Sequence, residues 1–466
     1  MNSRNGDIQE DFGVKIIGIS ATIGLAGFFC DDQAAIAKDA TKDGFIYRTP
    51  PTTKGFTSTR MAGRGLSILL FGGDGSIGVG DLLTVQYGGV ANREEPYSYQ
   101  DLVKVKAFVE GPLSEYLVGL SISSFVDLSR TIGKLHTTKD LRARELPILV
   151  DPVSNDLDER STDSPSHLAE ANGFRLPIAL RFALTSAVLD LLANSRRELM
   201  ADIVAQQYQI KADFAPVAIF AQSGDDRYTN VDKMILKAAD ALPHGLINNV
   251  PSLVGADGSI FATYLSFVVS RIEKLRPHSD YRPTLHFDVY GTFGEAFNGD
   301  LERVSDYMAS LKDIAKGYRL RFEHPIDGGS FKGQIEDMAH LKELLVKKGA
   351  EVEIVADEWC NDISDIRAFA DAKAADMIHI KSPDLGGLDE IAEATLAVKE
   401  SGLAAYLGGT CNESEISARA TTHLAVALGA DQVLAKPGMG VDEGLMLVRN
   451  EMERVLAIST FRKGRR

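Results

Sequence analysis

Four polar residues end consecutive short apolar runs in the second half of the chain. Asp288 follows Leu285-His286-Phe287, Glu323 follows Leu320-Arg321-Phe322, Asp357 follows Ile354-Val355-Ala356, and Lys381 follows Ile378-His379-Ile380. Each interval between them is the length of one strand–helix repeat. If the runs are neighbouring parallel strands, all four groups stand at one rim. Three carboxylates held that close repel one another unless a cation lies between them, and hard oxygen ligands favour Mg²⁺ with positions left open for substrate and water. A lysine beside such a cation has its ammonium form disfavoured, which suits a general base. Any one of the acids alone reads as a solvated strand end. The set of three followed by lysine points to metal-assisted proton abstraction.

Other residues bear on the same rim. His244 follows Leu242-Pro243 and is either a structural histidine or a second base. Gln222 ends another apolar run and can donate to a carboxylate. Gly408-Gly409-Thr410-Cys411-Asn412 precedes a helical pattern, so it reads either as an anion cradle of backbone N–H groups or as a simple strand-to-helix turn. Cys411 would need only its amide for the first role, and Cys360 beside Trp359 reads as packing.

The elements that must position these groups follow from periodicity. From about residue 217, short apolar runs alternate with helical patterns: Val217–Gln222, Leu246–Val250, Leu285–Tyr290, Tyr318–Glu323, Val352–Asp357, Met377–Lys381, Ala404–Gly408 and Val433–Lys436. Eight such units in about 240 residues predict a (β/α)8 TIM-type barrel, whose functional groups lie at the C-terminal ends of its strands. Upstream, Val14–Ile19, Leu66–Phe71 and Leu82–Tyr87 are β-rich and glycine-punctuated, and amphipathic patterns begin near Tyr99. They predict an N-terminal α+β domain. Pro177 to Gln207 reads as one or two helices. The expected division is 1–210 for the first domain with linking helices and 211–466 for the barrel, with an insertion at about 137–173 carrying the polar run Ser161–Ser166. The basic end Arg462–Arg466 reads as a frayed tail. Gly73-Asp74-Gly75-Ser76-Ile77-Gly78 matches the dinucleotide fingerprint but leads into another strand. It therefore reads as a hairpin turn, not a nucleotide site.

Composition bounds the remaining classes. At 466 residues, 44% hydrophobic and 25% charged, the chain buries a large core and is not disordered in bulk. A net charge of −15 argues against a general nucleic-acid binder or a basic membrane-surface protein. Three cysteines form no disulfide framework, and no signal peptide is evident. The longest apolar stretch, around Leu66–Phe71, is too short to span a bilayer. A cytoplasmic protein with no membrane or nucleic-acid partner is the expectation.

The acid–acid–acid–lysine order resembles the enolase superfamily. Within it the chain is similar to the methylaspartate ammonia-lyases through most of its length. The runs that carry the resemblance include 221–228 (AQSGDDRY), 288–292 (DVYGT), 355–361 (VADEWCN), 382–387 (SPDLGG), 408–413 (GGTCNE) and 436–440 (KPGMG), with Asp31-Asp32-Gln33 and Val85-Gln86-Tyr87 upstream. The resemblance implies an enolase-like fold in which an N-terminal domain caps a barrel. It also implies a homodimer that removes ammonia from threo-3-methylaspartate to give mesaconate, reversibly, with Mg²⁺ required and K⁺ activating.

Carried onto this chain, the resemblance assigns Asp288, Glu323 and Asp357 to Mg²⁺. Lys381 becomes the base for the natural diastereomer and His244 the base on the opposite face. Gln86 would contact the amino group, and Gln222, Thr410 and the Cys411 amide the carboxylates. Phe220, Tyr406 and Leu434 would line a methyl pocket, a role that ordinary barrel packing fits equally well. Two positions depart from the family pattern. His379 stands where a glutamine contacts a substrate carboxylate, and His324 follows Glu323 where glycine is usual. The first leaves open a related lyase or dehydratase acting on a different amino or hydroxy acid.

Overall fold

The computed structural model of the chain describes residues 13–36, 40–86, 88, 93–150, 173–439 and 441–464. Most of the expected insertion, including the Ser161–Ser166 run, lies outside the described residues. Its two flanks meet in a small sheet: His136–Thr137 pairs antiparallel with Leu149–Val150 on one side and Phe174–Arg175 on the other.

The first half is built on an antiparallel sheet of β1 (Val14–Asp31), β2 (Arg60–Gly72), β3 (Ile77–Leu83) and β4 (Ser121–Ile122), in the order β3-β2-β1-β4. The Gly73–Ser76 segment is the hairpin between β2 and β3, with Gly75 at φ +88° and Asp74 accepting from Ser76. A strand, not a helix, follows it. β3 ends at Leu83, short of the expected Tyr87, which lies outside the described residues. Helix α1 (Tyr99–Phe108) starts at a capping box between Ser98 and Asp101, and α2 (Phe125–Gly133) is capped by Ser124.

Pro177–Gln207 resolves into two helices, α3 (Ile178–Arg196) and α4 (Met200–Gln207). α3 is buried along most of its length, and among the described residues it is the one helix long and apolar enough to cross a bilayer. Isolated polar residues hid it from a search for unbroken apolar runs. It is 89% buried inside the fold, as expected of a helix enclosed on every face. Gly78 and Gly80 of β3 let its backbone close in, since a Cβ at Gly80 would lie 2.0 Å from the Ala183 carbonyl oxygen.

The second half is a closed eight-stranded parallel barrel. Its strands are β5 (Ala218–Phe220), β6 (Ala241–His244), β7 (Thr284–Asp288), β8 (Leu320–Glu323), β9 (Val352–Ala356), β10 (Met377–Ile380), β11 (Ala404–Leu407) and β12 (Gln432–Leu434). One strand differs from expectation. The second is Ala241–His244, not Leu246–Val250. Backbone at His244, Gly245 and Leu246 turns left-handed (φ 67°, 88° and 49°), which ends the strand before the later run begins. Pro243 disguised it, yet its carbonyl still accepts from the Ser223 N–H.

Helices α5 (Arg227–Leu236), α6 (Ser259–Leu275), α7 (Leu301–Ala315), α8 (Phe331–Lys347), α9 (Ile363–Asp371), α10 (Leu388–Glu400), α11 (Glu415–Leu428) and α12 (Glu443–Lys463) follow the strands in turn. Side chains of Asp300, Ser330, Asp362 and Ser414 cap four of them. The expected frayed tail is partly tied down, because Arg462 bonds Asp202 and Lys463 bonds Asp213 at the end of α12. Arg465 and Arg466 lie outside the described residues.

Candidate active site

Parallel pairing sets Asp288 directly opposite Glu323, and Glu323 opposite Val355, so Asp357 projects from the next position on the same side. Continuing the register, His379 stands level with Asp357, and Lys381 follows on the same side one residue beyond β10. All three carboxylates are buried at the rim where the strands end. Their side chains do not form one symmetric cluster. Ligand atoms of Glu323, Asp357 and His379 fall within 4.8 Å of one another. Asp288 turns toward β6, with Oδ2 3.4 Å from His244 Nε2 and Oδ1 accepting from the Tyr290 N–H.

Electrostatics differ among the acids. Burial and the Glu323 charge push Asp288 up to about 6. Burial and Glu358 raise Asp357 despite Lys381 and His379. Burial also opposes ionisation of Glu323, which the hydrogen bond from His379 favours. The donor set suits a hard divalent cation. Glu323 Oε2 is buried and accepts no aligned hydrogen bond among the described residues, although His286 Nε2 stands 3.1 Å away. A buried carboxylate oxygen in that state is what a cation would satisfy.

Lys381 Nζ lies 2.8 Å from Asp357. Burial and Arg93 work to lower its pKa, but Asp357 and Glu358 prevail and hold it up. A base needs the reverse, so a group that engages Asp357 is also what would free the amine. His244 ends β6 and Lys381 follows β10. These strands are four apart in a ring of eight, so the two groups face each other across the mouth.

The remaining expected residues fall into two sets. Gln86, Thr410 and Cys411 meet where the first domain sits on the barrel: the Gln86 N–H donates to Thr410 Oγ1, and Cys411 Sγ donates to Gln86 Oε1. The glycine-rich turn is less open than its sequence suggests. Gly409 N–H donates to His379 Nε2, Thr410 N–H to Glu413, Asn412 N–H to Thr410 Oγ1 and Gly408 N–H to Ile380. No bond among the described residues engages the Cys411 amide. Burial raises the Cys411 thiol far above its ordinary range, which excludes a thiolate. Gln222 donates to the Ala435 carbonyl beside β12. Phe220, Tyr406 and Leu434 share one buried cluster with Ala241, Val355 and Met377 inside the barrel.

Both nitrogens of His379 are held by the protein. Nδ1 is 2.6 Å from Glu323 Oε1 and 3.3 Å from Asp357 Oδ1, and Nε2 accepts from Gly409. His324 turns from the cluster toward Glu358, 3.4 Å away.

Three features escaped the sequence reading. Arg93, from the first domain, reaches Glu358 at 3.1 Å, Asp384 at 3.2 Å and Asp357 at 3.8 Å. His286, Gln432, Arg321 and Glu353 form a polar chain through the barrel interior that ends beneath Glu323. Lys436 is fully buried against Glu413, Ser382 and the Gly408 carbonyl behind the glycine turn. Polar residues inside strands gave the only available signal for the second.

Comparison with known proteins identifies the family. The family profiles for the methylaspartate ammonia-lyase N-terminus and C-terminus match residues 14–209 and 211–461. A methylaspartate ammonia-lyase from Clostridium tetanomorphum is 42% identical over 97% of this chain and all of its own length. The crystal structure of beta-methylaspartase from that organism, an Mg complex, superposes with a TM-score of 0.84 over 96% of this chain and 100% of its own. The Citrobacter amalonaticus methylaspartate ammonia lyase, solved containing (2S,3S)-3-methylaspartic acid, is 39% identical with a TM-score of 0.86, covering 95% and 99% of the two chains. A mandelate racemase/muconate lactonizing protein from Herpetosiphon aurantiacus, 16% identical with a TM-score of 0.55 over 92% and 90%, shares the fold alone. With both halves matched in order and relatives aligned end to end, the chain belongs to the methylaspartate ammonia-lyase family.

Proposed function

We propose that the protein is a methylaspartate ammonia-lyase that eliminates ammonia from threo-3-methylaspartate, reversibly, to give mesaconate. The single observation that supports this most is the mouth itself: two candidate bases face each other across a cluster of buried acids. Asp288, Glu323 and Asp357 would hold Mg²⁺. When bound, that ion supplies positive charge where electrons of the broken C–H bond come to rest on a substrate carboxylate.

The chain's own groups do the rest. Lys381 Nζ takes the C3 proton of the natural diastereomer, and His244 takes it from the opposite face. The C–N bond then breaks and the ammonium substituent departs as ammonia, its proton count balanced by the protonated base. Gln86 faces the amino group, while Gln222, Thr410 and the Cys411 amide orient the carboxylates. Phe220, Tyr406 and Leu434 bound the space for the methyl group.

This reading carries K⁺ as a monovalent activator, a homodimer, a cytoplasmic location, and a division into 1–210 and 211–466. The test is ultraviolet absorbance on mixing the protein with threo-3-methylaspartate, Mg²⁺ and K⁺, because the unsaturated diacid absorbs where the amino acid does not. Metal-dependent growth of signal that disappears in Lys381→Ala is expected. No signal from a protein that binds Mg²⁺ would refute this substrate.

A further inference from the structure

His379 lies at the end of β10 with each ring nitrogen in a defined bond. The Gly409 N–H donates to Nε2 at 3.1 Å, so Nε2 carries a lone pair and no proton. A neutral imidazole has one N–H, which must then be on Nδ1. Nδ1 stands 2.6 Å from Glu323 Oε1 and 3.3 Å from Asp357 Oδ1. The ring is fixed from its sides as well. It stacks on Tyr406 with centroids 4.2 Å apart, and a Cβ at Gly408 would come within 1.6 Å of Nε2, so only glycine leaves room for it there.

This arrangement decides between three roles. Coordination of a cation through Nδ1 would require a bare Nδ1 and a protonated Nε2, which the Gly409 N–H opposes. Contact with a substrate carboxylate would need a donor aimed at the substrate, but the single N–H is directed at Glu323. The remaining role is orientation of the acids.

We propose that His379 is a positioning residue, a neutral Nδ1-protonated imidazole that locks Glu323 Oε1 and leaves Oε2 for the cation. The inference rests on the ammonia-lyase reading for its functional meaning, since that reading supplies the cation. Hydrogen bonds to ligating carboxylates typically govern metal affinity by about 10- to 100-fold.

Two independent measurements test it. Solid-state ¹⁵N spectra of histidine-labelled protein, with the His379 signal identified by its loss in His379→Gln, should show a protonated Nδ1 and a bare Nε2. Mg²⁺ titration by calorimetry, without substrate, should show a dissociation constant about 10- to 100-fold weaker in His379→Leu. His379→Gln should stay within a few-fold of wild type, because a side-chain amide also presents a donor group and an acceptor. That rescue separates loss of the donor from loss of packing, which the leucine largely preserves. A protonated Nε2 would overturn the proposal whatever the enzyme's substrate. So would unchanged Mg²⁺ affinity in His379→Leu accompanied by a raised KM, which would mean a substrate contact. Wild-type protein that binds no Mg²⁺ would overturn the ammonia-lyase reading and this functional role with it, while leaving the tautomer assignment standing.

Discussion

At the scale of single residues, Lys381 and His244 are candidates for the same task from opposite sides, and their surroundings make them separable. Lys381 is tied to Asp357 at 2.8 Å, whereas His244 leans on Asp288 at 3.4 Å with its Nδ1 in no hydrogen bond among the described residues. If each serves one face of C3, removing one base should spare the reaction of the other. Lys381→Ala should lower turnover of the threo diastereomer by about 10²- to 10⁴-fold, the usual contribution of a positioned base. His244→Ala should do so for the erythro diastereomer. Steady-state absorbance assays on both diastereomers check this, and equal losses on both in either variant would contradict the division of labour.

At the scale of elements, the loop after β11 is rigid because a charge lies beneath it. Lys436 and Glu413 are both fully buried and 2.8 Å apart, and Lys436 also bonds Ser382 Oγ at 2.9 Å and the Gly408 carbonyl at 2.7 Å. Breaking a buried pair from one side leaves an uncompensated charge. Lys436→Met should therefore cost about 3–5 kcal/mol in urea unfolding, and adding Glu413→Gln should recover a good part of it. A second element carries a pH signature. Burial, then the neighbouring Glu390 charge, raises Asp389 at the start of α10 from 3.8 to about 6. Between those values the folded chain keeps a proton that the unfolded chain has released, so this group's contribution to stability falls as pH rises through that window and is flat above it. The shift corresponds to about 3 kcal/mol. Asp389→Asn should be more stabilising at pH 8 than at pH 4, measured by unfolding at both. Periodicity made seven of the eight barrel strands legible, because apolar runs ending in a polar residue are what a parallel barrel requires. It missed β6, where Pro243 broke the pattern. α3 was legible as a helix, but its scattered polar residues concealed that it is more apolar over a membrane-spanning length than Leu66–Phe71. The rim acids were legible for the same reason as their strands. The polar chain His286–Gln432–Arg321–Glu353 was not, because strand-interior polar residues that pair only after folding carry no local period.

At the scale of the whole molecule, the first domain is fastened to the barrel by polar bonds to the segment after β11. Gly27 N–H donates to the Glu413 carbonyl, Asn412 Nδ2 to the Thr84 carbonyl, and Ser414 Oγ to Asp81. Arg93 adds a charged bond of another kind. The adjacent Glu94 accepts from the Ile178 and Ala179 N–H groups at the start of α3. Arg93 itself points into the mouth, where its guanidinium is nearly enclosed by Glu358, Asp384 and Asp357. It therefore does two things that oppose each other. It offsets repulsion among buried acids, which favours the closed arrangement, and it places a positive charge 3.8 Å from a carboxylate proposed to hold a cation. Arg93→Met retains much of the aliphatic stem and removes the charge together with its N–H donors. Without Mg²⁺ the variant should melt well below wild type, because three buried carboxylates lose their common partner. It should nevertheless bind Mg²⁺ several-fold more tightly, since one competing positive charge has gone. Saturating Mg²⁺ should then restore stability more in the variant than in wild type, because each protein's gain grows with its own ratio of free ion to dissociation constant and the gap levels off at the ratio of the two constants. Thermal melts with and without Mg²⁺, alongside calorimetry, measure both halves. Weaker Mg²⁺ binding in Arg93→Met would mean that the guanidinium shapes the cation site through closure of the domain and does not compete with the ion for Asp357.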